Sequence, residues 1–233
     1  MTRTIAIDIW SDVMCPWCII GWKQLQKGLA SLDGEVAAQV RWHPFELNPG
    51  MPREGEDAVE HVARKYGRTP EQAAAGRAQM SAIAERAGYS FAFTGPKNEG
   101  AGAPPQRLWN TFAAHKLLTQ ALRLHGAEAQ TRLKLALFDA HFQQRRDVSD
   151  ESVLADIYAT LGLPRAEAQA AFADEALGQL VRGEEARAWD LNITAVPATV
   201  LVGKYLVPGA QEPEVYASAI RRALAKEAET ALA

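Results

Sequence analysis

Only two cysteines occur in the 233 residues, and they stand three apart in Ser11-Asp12-Val13-Met14-Cys15-Pro16-Trp17-Cys18. Thr4 to Trp10 alternates as a strand does, with Ile5, Ile7 and Ile9 on one face. After the motif, Cys18, Trp22, Leu25 and Leu29 recur at helical spacing. Pro16 suits the first helical position, where its missing N–H costs nothing. The two cysteines are therefore expected to straddle a strand-to-helix junction, with Cys15 at the helix N-terminus. Free backbone N–H groups and the positive end of the helix dipole favour a thiolate there. Such sites lower a cysteine pKa below its free value of about 8.5. Cys18 shares the apolar stripe of the helix, so it is expected to be the buried partner of an exposed, activated Cys15.

Competing explanations of the pair are weaker. Zinc needs two further ligands, yet there are no other cysteines and no two histidines lie three to five apart; no metal is expected. Two unrelated buried thiols would not need this junction. The composition is that of an ordinary globular chain, 48% apolar and 23% charged with a formal net charge of −3. That balance gives no reason to expect nucleic acid or an anionic membrane as a partner, and no apolar run approaches the roughly 20 residues of a spanning helix. Met1-Thr2-Arg3-Thr4 passes into the strand pattern without a secretory signature. A cytoplasmic setting is expected, where a Cys-x-x-Cys is more often catalytic than structural.

Gly34 ends the first helix, and Val36 to His43 reads as a second strand, parallel to the first by the usual handedness of such units. A loop rich in breakers follows from Pro44 to Pro52. From about Asp57 to Asp190 the pattern is almost wholly helical, broken by a Gly- and Pro-rich loop from Ser90 to Pro105. Helices are expected over 58–66, from Pro70 to Gly88, and over 106–124, 129–143, 151–161, 166–172 and 177–189. In the 106–124 helix, Asn110 is placed on the apolar side and His115 at the edge of the polar stripe; each needs a partner or a task. The chain then returns to strands at 198–202 and 205–207, joined by an expected two-residue turn at Gly203-Lys204, and closes on a helix with Tyr216, Ala219, Ile220, Ala223 and Leu224 on one face.

Strand, Cys-x-x-Cys helix, strand, then proline, hairpin and helix is the thioredoxin order of elements. The fold class expected is α/β, a thioredoxin-like fold with a large all-helical insertion between its halves: 1–52 plus 191–233 for the thioredoxin-like part and 53–190 for the insertion. The chain resembles the DsbA family of thioredoxin-fold oxidoreductases, in its FrnE-like branch. The resemblance rests on Asp12 to Cys18, on Pro44-Phe45-Glu46-Leu47-Asn48-Pro49, on Asn110-Thr111-Phe112-Ala113-Ala114-His115, and on Val196-Pro197 with Gly203-Lys204-Tyr205 and Gly209-Ala210-Gln211. It departs at Ile19-Ile20-Gly21-Trp22, where an aromatic and a small-Gly-Lys run would be usual.

The resemblance implies that the Val196-Pro197 bond is cis and faces the cysteines, and that the backbone of Val196 pairs with an extended substrate. It implies further that Asn110 and His115 approach the site from the insertion to orient substrate or move a proton. The reading that follows is a thiol–disulfide oxidoreductase of reductase or isomerase type: Cys15 the nucleophile, Cys18 the resolving thiol, and Pro197 beside them. Pro16, Trp17, Val196, Asn110 and His115 would contact substrate. No cofactor is implied beyond the redox-active disulfide, with glutathione a candidate reductant. The partner is a thiol- or disulfide-containing protein or small molecule, and the oligomeric state is left open. The chain has no histidine between the cysteines, and an ionised Asp12 would oppose a very low Cys15 pKa, so an intermediate or reducing couple is expected. The alternative is a glutathione-dependent transferase or isomerase, like the kappa-class transferases and chromene-carboxylate isomerases that share this topology but activate glutathione with a serine. A chaperone whose cysteines only report redox state is a third.

Overall fold

The computed structural model describes residues 2–96 and 102–232; residues 97–101, the middle of the expected 90–105 loop, lie outside the described residues. The centre is strand β1 (Arg3–Ser11), whose alternating isoleucines bury one face completely. Strand β2 (Val36–Pro44) runs parallel to it, with Ile7 opposite Val40. On the other side β5 (Ala198–Leu201) is antiparallel, with Ile7 opposite Leu201, and β6 (Tyr205–Pro208) completes the sheet in the order β2-β1-β5-β6. Ile5, Ile7 and Ile9 pack against Cys18, Trp22 and Leu25 of α1 (Pro16–Ala30) and Tyr216, Ile220 and Leu224 of α8 (Pro213–Leu232). Trp10 faces the opposite side, towards Ala188, Ile193 and Val200.

The hairpin differs from the expected Gly203-Lys204 turn by one residue. It reverses over Val202-Gly203, both at positive φ (48° and 70°), with the Lys204 N–H donating to the Leu201 carbonyl at 3.0 Å. The Val202 N–H is held by the Ala6 carbonyl at 2.9 Å, which fixes the reversal there.

Between the halves of the sheet, β3 (Glu56–Asp57) pairs with β4 (Arg107–Leu108), and the rest is helical. Helix α2 spans Ala58–Tyr66; α3 spans Pro70–Ala87 and opens on a reciprocal Thr69–Gln72 capping box. The two helices expected over 106–124 and 129–143 form one long element. This is α4 (Phe112–Phe138), interrupted at Gly126, with a π turn (Asp139–Gln143) at its end. Helices α5 (Glu151–Thr160), α6 (Arg165–Ala173) and α7 (Glu175–Asp190) follow. Among the described residues, no helix is long and apolar enough to cross a membrane.

The inserted helices are stitched to the sheet. Gln130 of α4 meets strand β2 as another strand would: its amide donates to the Trp42 carbonyl at 2.8 Å and its Oε1 accepts from the Trp42 N–H at 2.9 Å. The Trp42 indole donates to Thr131 at 3.0 Å. Val13 and Met14, just ahead of the cysteines, are buried among Ala114, Leu117 and Leu137 of α4 and Tyr158 of α5.

Candidate functional site

Helix α1 begins as the sequence indicates. Cys15 is its N-cap residue and Pro16 its first residue, and the Cys18 N–H donates to the Cys15 carbonyl at 3.0 Å. The Cys15 thiol points to the Val196 carbonyl, with 3.6 Å between sulfur and oxygen. The Val196-Pro197 bond is cis. Gly21 lets α1 and this segment approach: a Cβ there would come within 3.1 Å of the Pro197 ring. Trp17 is 41% exposed beside the cysteines.

The expected contrast of an exposed Cys15 and a buried Cys18 is corrected: the two are 4% and 1% exposed, and both are free thiols. Their ionisation is correspondingly shared. The hydrogen bond with Cys18 pushes the Cys15 thiol well up, joined by burial and the charge on Cys18, against the pull of the Cys18 N–H. Burial would also raise Cys18, but hydrogen bonding from Cys15, the nearby Lys134 ammonium and the Ser11 hydroxyl outweigh it and leave Cys18 lowered. The lowered Cys15 pKa expected at the helix N-terminus is thus reversed: its coupling to Cys18 and its burial outweigh the helix, and Cys18 is the thiol held down.

Next to the cysteines lies a buried polar cluster. Asp12 accepts from the Met14 N–H at 3.1 Å and the Leu47 N–H at 2.8 Å, so it ties the loop before Cys15 to the loop after β2. Burial raises its pKa against those two N–H groups, Lys134 and Thr111. Lys134 donates to the Ser11 carbonyl at 3.1 Å and is pushed down to about 8 by burial, against the attraction of Cys18, Asp12 and Cys15.

His115 belongs to this cluster and not to a substrate surface. It is 1% exposed, with Nε2 3.9 Å from Asp12. Burial, and then Lys134, hold it neutral far below the usual imidazole range, against the pull of the Phe45 carbonyl. Asn110 is also placed differently from expectation. The helix starts at Phe112 because Arg107 and Leu108 pair as a strand, so Asn110 stands before it. Its Oδ1 accepts from the Phe112 N–H at 3.0 Å and its amide donates to the Pro49 carbonyl at 3.3 Å. It starts the helix and holds the neighbouring loop.

Two features were missed in the sequence. Lys134 stands among Leu133, Leu135, Ala136 and Leu137, and four residues after Gln130; a lysine in so apolar a run is the signal that could have found it. The second is Glu46, whose side chain is 2% exposed and bound through one oxygen to Arg182. Arg182 also binds Glu185 at 2.7 Å and stacks 3.9 Å over the Phe112 ring.

A four-stranded sheet with a thiol pair at a helix N-terminus and a cis-proline segment opposite defines a thioredoxin-fold protein of the DsbA type. Residues 6–221 match the DSBA-like thioredoxin domain, and the chain belongs to that family. It is similar to a probable DsbA oxidoreductase from Streptomyces coelicolor, at 31% identity and a TM-score of 0.79 over 95% of this chain and 90% of that one. It is 26% identical over 218 residues to the uncharacterized protein YwbO of Bacillus subtilis, covering 93% of this chain and 96% of YwbO. Its fold is also that of the cytosolic disulfide reductase DsbM of Pseudomonas aeruginosa, at 18% identity and a TM-score of 0.56 over 98% of this chain and all of that one. DsbM has also been solved with glutathione.

Proposed function

We propose that this member of the family is a disulfide reductase or isomerase in which Cys15 forms the mixed disulfide with substrate and Cys18 resolves it. The observation that carries the reading is the pair of free thiols at the start of α1, with the Cys15 sulfur 3.6 Å from the Val196 carbonyl. Cys15 is the less deeply buried of the two residues and the one next to the segment that would pair with an extended chain. Trp17, half-exposed, and Pro16 extend that contact surface. The substrate is a disulfide-bearing protein or small molecule, glutathione serves as reductant, and the cytoplasm is the setting. The likeness to DsbM, a cytosolic reductase also seen with glutathione, supports these last points.

Reduction of a model protein disulfide by glutathione, followed with the wild type, Cys15→Ser and Cys18→Ser, tests the reading. Turnover is expected from the wild type alone, with Cys18→Ser accumulating a mixed disulfide at Cys15. Undiminished turnover in Cys15→Ser, or a mixed disulfide that forms at Cys18 first, would overturn it.

A further inference from the structure

The inserted helices hold one group for which thiol–disulfide exchange, as described so far, has no use. Lys134 is 0% exposed, a state lysines almost never reach unpaired. Its ammonium donates to the Ser11 carbonyl and lies 5.1 Å and 5.5 Å from the Phe138 and Trp42 ring centroids. One carbonyl and two ring faces do not balance a buried unit charge, whose desolvation is costly unless an anion is near. The groups that face it are Cys18, Asp12 and Cys15, with the neutral His115 alongside.

Among these groups Asp12 accepts from two backbone N–H groups and lies within reach of the Thr111 hydroxyl. Beyond it stand Glu46 and Glu185. Cys18 is faced by the Cys15 thiol, the Ser11 hydroxyl and the Asp12 backbone, and it packs in one cluster with Trp42 and Phe138, over whose rings the Lys134 ammonium lies. Tyr216 faces Cys18 as well, as a neutral phenol. The strand residues packed on the thiols, Ile5, Ile7 and Ile9, bring no charge. The cation facing Cys18 therefore comes from α4, in the inserted stretch.

We propose that Lys134 is the charge partner of the Cys18 thiolate, and that the inserted helix thereby sets the balance between dithiol and disulfide. This rests on the thiol–disulfide reading above. In the first step the Cys15 proton passes to the Cys18 thiolate. The Cys15 thiolate bonds to one sulfur of the substrate disulfide, and the other leaves with the electron pair and takes a proton from water. Cys18 then gives its proton to water and is held as thiolate by the Lys134 ammonium. It attacks the Cys15 sulfur: the Cys15–Cys18 bond forms, the bond from Cys15 to substrate breaks, and the electron pair leaves on the substrate sulfur, which is protonated by water. The protein pair is oxidised by two electrons and the substrate disulfide becomes two thiols. Lys134 touches no substrate and keeps its proton; it is a positioning residue, and when the disulfide closes it loses the Cys18 thiolate while Asp12 still faces it. Its charge favours the dithiol form, which makes the couple more oxidising than the pair alone would be.

The full-length protein with Lys134→Met, or with Lys134→Gln, which keeps a donor for the Ser11 carbonyl, tests this. Two readouts are needed: the pH dependence of thiol alkylation, and the dithiol–disulfide equilibrium against glutathione. Removing the charge is expected to slow alkylation of Cys18, read in a Cys15→Ser background, about tenfold at pH 7. The equilibrium is expected to move about tenfold towards the disulfide, about 30 mV for two electrons. A purely structural lysine would change the melting temperature and leave both readouts alone, and that result overturns the proposal. If neither variant folds, the wild type decides by linkage: NMR titration of the Lys134 ammonium should give a lower pKa in the oxidised than in the reduced protein, and equal values overturn it. A wild type that does not equilibrate with glutathione at all would instead remove the thiol–disulfide reading itself.

Discussion

Glu46 shows how far a single residue here departs from its behaviour in water. One carboxylate oxygen is bound to Arg182 and the other is buried without a partner. Burial pushes its pKa up to about 7, opposed by Arg182 and reinforced by Glu185. A carboxyl whose pKa is higher in the folded than in the unfolded chain contributes stability that is complete below the unfolded value and is lost as pH rises through the folded one. The window is therefore from about 4.5 to about 7. Glu46→Gln, which cannot ionise, is expected to be more stable than wild type at pH 8 by up to about 3 kcal/mol, with no advantage near pH 4. Urea unfolding at the two pH values checks it, and an equal difference at both would contradict it. At this scale, Cys15 and Cys18 were legible because their spacing and the flanking pattern are local. Lys134 and Glu46 were not, because what a buried charge does depends on partners more than a hundred residues away, such as Ser11 for Lys134 and Arg182 for Glu46.

Among the elements, α4 carries the most consequence, since its first segment places His115 and its second places Gln130 and Lys134. The two segments meet at Gly126, whose φ of 81° and ψ of −179° fall where essentially only glycine goes. A Cβ there would meet nothing within 4 Å, so the penalty of a side chain is conformational and not steric. Gly126→Ala is expected to lower the unfolding free energy by about 1–3 kcal/mol, read from denaturant titration; a neutral result would mean that the break is not fixed. The element pattern explains which expectations held. Strands β1 and β2 and helix α1 follow simple periodicities. Helix α4 starts six residues later than its apolar pattern indicates, because Leu108 and Trp109 continue that pattern while the pairing of Arg107 and Leu108 with Glu56 and Asp57 is invisible locally. The hairpin shifted by one residue for a similar reason: the Ala6 carbonyl that holds Val202 comes from the far end of the chain.

The molecule as a whole does not divide where its sequence pattern changes. Tyr89, Phe138 and Phe142 from the inserted stretch pack with Ile7, Cys18 and Tyr216. In return Val13 and Met14 pack with Leu117, Leu137 and Tyr158. Unfolding is therefore expected as one transition, with near- and far-ultraviolet circular dichroism giving the same midpoint. Splicing residue 52 to residue 191 is expected to give a chain that does not fold, since it strips the partners from Trp42, Val13 and Met14; two separate midpoints, or a folded spliced chain, would count against this. The contact between Cys15 and Val196 has a further consequence, in time instead of space. The two residues are 181 apart along the chain. At about 5–20 residues per second, a ribosome takes on the order of ten seconds or more to make the second after the first. Through that interval β1 has no β5 beside it and the thiols have no Val196 carbonyl, so the newborn chain carries two bare cysteines long before it carries a site.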